Sequence, residues 1–184
     1  PYPRYRYADH TDKSLAQNIS KFIRNESTKS NLPFAAALSS NNARPKVLIA
    51  GCGTGNQIIN ASRYKNSQIV AIDLSSKSLA YAIRKAKEYG MNNIDFRQMD
   101  LLEVATLDET FDIIECGGVL HHMKDPAKGL SALNKKLKPG GYIILGLYSE
   151  IARQDIIKAR NQIKLLGIKS TKKSIRDFRQ KILR

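Results

Sequence analysis

A chain of 184 residues, 42% hydrophobic and 26% charged, is sized for a single globular domain with little room beside it. No apolar run reaches the roughly 18 residues a membrane-spanning helix needs, and the start, PYPRYRYADH, has neither an initiator Met nor the apolar stretch of a secretion signal, so a piece of a longer chain is expected. The net charge of +15 is uneven: residues 1–46 carry +5, residues 151–184 carry +9 and residues 47–150 only +1, so nucleic-acid binding is possible but not favoured.

Residues 11–24 place Leu15, Ile19, Phe22 and Ile23 at helical spacing, with Thr11 or Asp12 as N-cap. A polar stretch, NESTKSN, a short apolar piece, LPFAAAL, and a loop, SSNNARP, follow. From Lys46 the texture changes. VLIA (47–50) reads as a strand entering GCGTGN, and Gln57–Arg63 as the start of a helix. SQIVAID (67–73) is a second buried strand ending on an acid. Residues 75–90 form a helix with Leu79, Ala82, Ile83 and Ala86 on one face and Gly90 as the C-cap. NIDFRQMD (93–100) is a third strand and FDIIEC (111–116) a fourth. Residues 126–141 read as a helix closed by Pro-Gly-Gly, and YIILGLY (142–148) as a fifth strand. A helix over about 150–166, a GIKST linker and a basic amphipathic stretch with Ile175, Phe178 and Ile182 complete the chain. Apolar strands alternating with helices predict βαβ units and a mostly parallel sheet covered on both faces.

The chemistry concentrates around Gly51-Cys52-Gly53-Thr54-Gly55, between the first strand and its helix. Glycines there permit a tight turn and close approach of backbone to a ligand. Their spacing is GxGxG, not the GxGxxG of a dinucleotide fold, which disfavours a dehydrogenase. Asp73 ends the second strand, where a carboxylate can take both hydroxyls of a ribose; as a bland alternative it caps the following helix. Turn and acid together predict a nucleoside site. His121 and His122 follow the fourth strand and are candidate bases, with a capping or solvent-facing role as the alternative. Cys52 and Cys116 form neither a disulfide framework nor a zinc pattern, so no metal is expected and a reducing, cytoplasmic setting is the default.

With these residues in view, the sequence resembles the class I S-adenosylmethionine-dependent methyltransferases. VLIAGCGTGN, VAIDLS, the Met99-Asp100-Leu101 turn, FDIIECGGVLHHMKDP and LKPGGYIILGLY match that family's motifs in order over about residues 46–148. PYPRYRY and YSEIARQDI resemble the subgroup of methyltransferase domains attached to tetratricopeptide repeats.

The resemblance implies a Rossmann-like, doubly wound sheet in strand order 3-2-1-4-5, with an N-terminal helical arm (1–45), a cofactor-binding core (46–148) and basic C-terminal helices (149–184). It implies S-adenosylmethionine as cofactor and S-adenosylhomocysteine as product. Gly51, Cys52, Gly53 and Gly55 would pass under the methionine part and ribose. Asp73 would bind the ribose hydroxyls, Leu74 would pack on adenine, and Met99, Asp100 and Leu101 would meet the adenine edge. Cys116 and Gly117 would lie beside the sulfonium and methionine backbone. Many family members carry an acid immediately before the first glycine; this chain has Ala50, so the cofactor ammonium must find another partner, Glu115 being one candidate. Arg4 with Tyr2, Tyr5 and Tyr7 could form a flap over the cofactor, and His10 reads as surface polarity.

Absence of DPPY, NPPY and Pro-Cys argues against methylation of DNA bases, which leaves a small molecule or a protein side chain as acceptor. A non-catalytic interaction module of a larger repeat protein, or an RNA-directed methyltransferase, are the alternatives. Cys52 and Cys116 end strands that the resemblance makes adjacent, so they are expected as neighbouring reduced thiols. The family's sheet continues into strands six and seven, but Lys, Arg and Gln interrupt every apolar run after Tyr148. Five strands are therefore expected here, with the fifth strand's edge covered by the 151–184 helices, by residues beyond 184 or by a second copy of the chain.

Overall fold

The computed structural model describes residues 44–61 and 67–182, so the expected helix over 11–24, the Arg4–tyrosine flap and His10 lie outside the described residues. The chain divides into two compact units, the first ending at Leu147 and the second beginning at Tyr148.

In the first unit, β1 (Lys46–Ala50), β2 (Gln68–Asp73), β3 (Ile94–Gln98), β4 (Phe111–Gly117) and β5 (Leu137–Gly146) make one parallel sheet in the order β3-β2-β1-β4-β5. Helices α1 (Asn56–Ala61), α2 (Ser76–Glu88) and α3 (Pro126–Asn134) and two short 3-10 turns, Leu101–Thr106 and Leu120–His122, fill the crossovers. The doubly wound order implied by the resemblance is the order found. Among the described residues no strand follows β5.

β1 and β2 read as continuous apolar runs because both faces of the sheet are covered. Val47, Ile49, Ile69, Ala71 and Ile113 pack on one face with Ile58, Leu79 and Ala82. Leu48, Ala50, Val70, Ile72 and Ile114 pack on the other with Val104, Phe111 and Leu133. Leu48, Ile49, Ile113 and Ile114 are each 0% exposed, and burying such a side chain contributes about 1.5–3 kcal/mol. α2 follows from local chemistry: the Ser75 hydroxyl accepts the Ser78 N–H at 3.2 Å, and after Tyr89 the Met91 N–H closes on the Ala86 carbonyl at 2.9 Å.

Two expectations are corrected. The helix over 126–141 stops at Asn134, and β5 begins at Leu137, ahead of the Pro-Gly-Gly turn. Long-range contacts decide this. Lys136 gives its carbonyl to the Phe111 N–H at 2.8 Å, and the Lys138 ammonium pairs with Asp112 at 2.8 Å. Lys138–Gly141 then bulge out, since Phe111 is opposite Leu137 while Ile113 is opposite Tyr142. Cys52 lies just past β1 and Cys116 near the end of the adjacent β4, but the thiols are not neighbours in one pocket. Cys52 packs with Ile49 and Ile58, Cys116 with Ile114 and Leu120 on the opposite face, and both are free thiols.

β5 forms one edge of the sheet, with Ile144, Leu145 and Leu147 partly exposed. The second unit holds a 3-10 turn at Ile151–Arg153 and two helices, α4 (Gln154–Leu165) and α5 (Lys172–Ile182). The Arg153 guanidinium lies over the Tyr148 ring, 3.9 Å from its centroid. Ile175, Phe178 and Ile182 all fall in α5, and no residue of either helix is buried. Among the described residues no helix is long and apolar enough to cross a membrane, and no cluster of His, Cys, Asp and Glu could hold a metal ion.

Candidate cofactor site

The turn from β1 into α1 is set by what surrounds its glycines. Gly51 has φ +78°, and a Cβ there would fall 2.3 Å from Val119 Cγ2, so only glycine lets the loop after β4 close on the turn. Gly53 has φ +54° with open space where a Cβ would be, which leaves bare backbone for a ligand to lie against. The Gly51 and Cys52 N–H groups both donate to the Ile72 carbonyl at 2.9 Å, locking the turn to β2.

Asp73, the last residue of β2, faces this turn. One carboxylate oxygen accepts the Gly53 N–H and the other accepts the Ser75 N–H, each at 2.8 Å. The cap of α2 is Ser75, so the bland reading of Asp73 as the helix cap is not what the structure shows. Each oxygen keeps a further lone pair, and among the described residues no cation pairs with it. Two adjacent hydroxyls could be received there. Leu74 next to it is 68% exposed, an apolar surface beside a polar site.

The Met99 N–H donates to the Asp73 carbonyl at 3.1 Å, which brings the end of β3 alongside. One oxygen of Asp100 caps the following 3-10 turn through the Leu102 N–H at 2.9 Å, and the second oxygen remains for a ligand. Leu101 is buried beneath.

At the end of β4, the Gln57 amide donates from Nε2 to the Gly117 carbonyl at 2.9 Å. A Cβ on Gly117 would sit 2.3 Å from that nitrogen. The other atom of the amide, Gln57 Oε1, is buried without a hydrogen-bond partner. Cys116 turns its thiol into the core, so only its backbone can meet a ligand. Glu115 stands opposite Ile49 in register and shares the face of Ile113. Ala50 is 0% exposed in the other cluster, so an acid at that position would project into apolar core.

Burial pushes the Cys52 thiol up to about 12, with the Asp73 charge adding to it, and burial pushes Cys116 up to about 11. Both stay protonated at neutral pH and neither is a nucleophile. The two histidines share the 3-10 turn after β4, their ring centroids 4.3 Å apart at 62°. His122 is exposed, whereas both ring nitrogens of His121 are enclosed.

A second cavity of about 370 Å³ lies at the opposite, N-terminal ends of β1–β3, lined by Lys46, Gln68, Asn93, Arg97 and Glu109 among others. Arg97 is already paired with Glu109 and Asp95, at 2.7 Å each, and open parallel sheets take ligands at the other ends of their strands. That cavity is not the site.

An S-adenosyl compound offers a vicinal diol, an adenine amino group and an ammonium. The open lone pairs of Asp73, the spare oxygen of Asp100, the bare backbone at Gly53 and the unmet acceptor of Gln57 fit those groups. The family model described as a methyltransferase domain matches residues 41–181. The chain belongs to that methyltransferase family. S-adenosylmethionine is the cofactor of the fold: PKMT2 of Rickettsia typhi, solved in complex with AdoHcy, is 26% identical over 66% of this chain and 24% of its own, with a TM-score of 0.58. The YcgJ protein of Bacillus, also 26% identical, covers 66% of this chain and 53% of its own at a TM-score of 0.55. An uncharacterized protein of Synechococcus sp. is 43% identical over 67% of this chain and 30% of its own. The ubiquinone biosynthesis O-methyltransferase of Leptothrix cholodnii is 32% identical over 54% of this chain and 43% of its own. The methyltransferase domain thus spans less than half the length of these curated relatives.

The fold gathers Gly51, Gly53, Gly55, Asp73, Leu74, Asp100 and Gly117 at the C-terminal ends of β1–β4. It withdraws the thiols of Cys52 and Cys116 from that surface. The residue that sequence reasoning missed is Gln57. The only signal for it was Gly117, a glycine ending a buried strand with no turn to explain it.

Proposed function

We propose that this domain transfers the methyl group of S-adenosylmethionine to a small molecule or a protein side chain. The observation that carries the reading is Asp73, a carboxylate fixed by two backbone N–H groups beside an open glycine turn and matched by no cation among the described residues. Gly51, Cys52, Gly53 and Gly55 would support the methionine part and ribose through backbone, and Asp73 would take the ribose hydroxyls. Leu74 would cover adenine, Met99, Asp100 and Leu101 would meet its edge, and Cys116 and Gly117 would meet the methionine end through backbone. The cofactor, when bound, supplies a methyl group already activated on a sulfonium, so this chain's residues need only orient the acceptor and exclude water. His122 would take a proton from an acceptor that arrives protonated, with His121 steadying its ring.

Relatives named as ubiquinone biosynthesis O-methyltransferases support a small hydroxyl-bearing acceptor over nucleic acid. PYPRYRY and YSEIARQDI support the narrower assignment to domains attached to tetratricopeptide repeats, and the two free cysteines support a reducing, cytoplasmic setting. The exposed edge of β5 supports a covering segment or a second copy of the chain there. Calorimetry with S-adenosylhomocysteine tests the reading: the parent binds and Asp73→Ala binds far more weakly. Equal binding by the two sinks the ribose assignment, and a parent that binds nothing leaves the non-catalytic interaction module standing. Methyl transfer to candidate acceptors then follows.

A further inference from the structure

We infer that the carboxamide of Gln57 is the receptor for the ammonium of the bound cofactor's methionine end. The inference rests on the cofactor reading above and adds one named contact to it.

The orientation of the amide is fixed by its neighbour. Nε2 donates to the Gly117 carbonyl at 2.9 Å, and a flipped amide would set two oxygens face to face. Oε1 is therefore the remaining atom of the amide, and it is buried without a partner. Folded proteins ordinarily satisfy a buried acceptor, because leaving it unmet forfeits its hydration for nothing in return. An acceptor lacking a donor suits an N–H of a ligand and repels a carboxylate. Of the charged groups at the methionine end, only the ammonium qualifies.

Position agrees with chemistry. Asp73 and Asp100 mark the nucleoside end of the site at β2 and β3. The sheet order reverses between β1 and β4, and that reversal opens the crevice along which the ligand runs. Gln57 follows the glycine turn out of β1 and reaches across to the end of β4, at the far end of that crevice. Gly117 has no room for a Cβ against the amide, so the glycine preserves the contact. Ala50, buried in the core, offers no carboxylate to that ammonium.

The test is calorimetry on the full chain with two ligands, S-adenosylhomocysteine and its deamino analogue, which lacks only the ammonium. The parent should prefer S-adenosylhomocysteine by about tenfold or more, and Gln57→Met should erase that preference while leaving affinity for the deamino analogue unchanged. Equal affinity of the parent for both ligands overturns the inference without needing any variant. A Gln57→Met chain that loses both ligands equally shows the amide acting only as a brace for β4, and also overturns it. A parent that binds neither ligand sinks the cofactor reading itself.

Discussion

Asp73 and Asp112 are two carboxylates at opposite rims of the same sheet, and each accepts a backbone N–H at 2.8 Å. Their remaining partners differ. At the start of β4, one oxygen of Asp112 takes both the Lys46 N–H and the Lys138 ammonium, tying β1, β4 and β5 together. Its charge is matched and its side chain only 14% exposed. Asp73, at the end of β2, takes two N–H groups and, among the described residues, no cation. Nearby, Arg97 is shared between Asp95 and Glu109, again a closed arrangement. A carboxylate whose charge is matched within the protein holds the fold, and one left unmatched beside bare backbone keeps lone pairs for a ligand, the role we propose for Asp73.

The largest effect should come from exchanging these two roles by mutation. Asp73→Ala removes two charge-assisted hydrogen bonds to a diol, each about 1.5–3 kcal/mol gross, so affinity for S-adenosylhomocysteine should fall on the order of a hundredfold. Asp112→Ala should leave that affinity unchanged and cost about 2 kcal/mol of stability, seen as a melting temperature lower by several degrees. Calorimetry and thermal melting on both variants decide it. Comparable losses of affinity in the two would dissolve the distinction.

The sequence made the site end of the sheet more legible than the other end. β1 and β2 announce themselves as short apolar runs, and the spacing from Gly55 to Asp73 places an acid at the end of a strand. Nothing local reveals that Leu137 already belongs to β5, because Pro139 and two glycines read as a helix stop. Lys136 and Lys138 settle the matter by bonding to Phe111 and Asp112, distant in sequence. Cys52 lies past the last residue of β1, so strand alternation could not say which face its thiol would join. Gln57 looked like any polar residue opening a helix. Its contact with Gly117 spans 60 positions.

The cysteines sharpen the comparison at intermediate size. Both thiols are buried and pushed up, to about 12 and about 11, so alkylation near neutral pH should be slow and should require local opening. Cys52 belongs to the turn that Asp73 holds, and Cys116 to the opposite cluster. S-adenosylhomocysteine should therefore slow labelling of Cys52 more than labelling of Cys116, read peptide by peptide in a mass spectrometer. Equal protection of both, or none, would count against placing the ligand on the glycine turn.

The smallest effect concerns Glu109, a matched carboxylate like Asp112. The Arg97 guanidinium beside it holds its carboxyl below the usual value of 4.5. A carboxylate whose pKa is depressed by folding adds stability that is fully present above the unfolded value and is lost as pH falls through the folded one. The pair is partly exposed, at 30% and 26%, so solvent screening keeps its contribution to about 1 kcal/mol or less. Glu109→Gln should thus lower stability slightly at pH 7, and the gap to the parent should close as pH drops below 4.5. Denaturant titrations at both ends of that range measure it. A gap that stays constant with pH would show that Glu109 acts through packing and not through charge. Affinity for S-adenosylhomocysteine should not move in either case, because this pair, unlike Asp73, has spent its charge inside the protein.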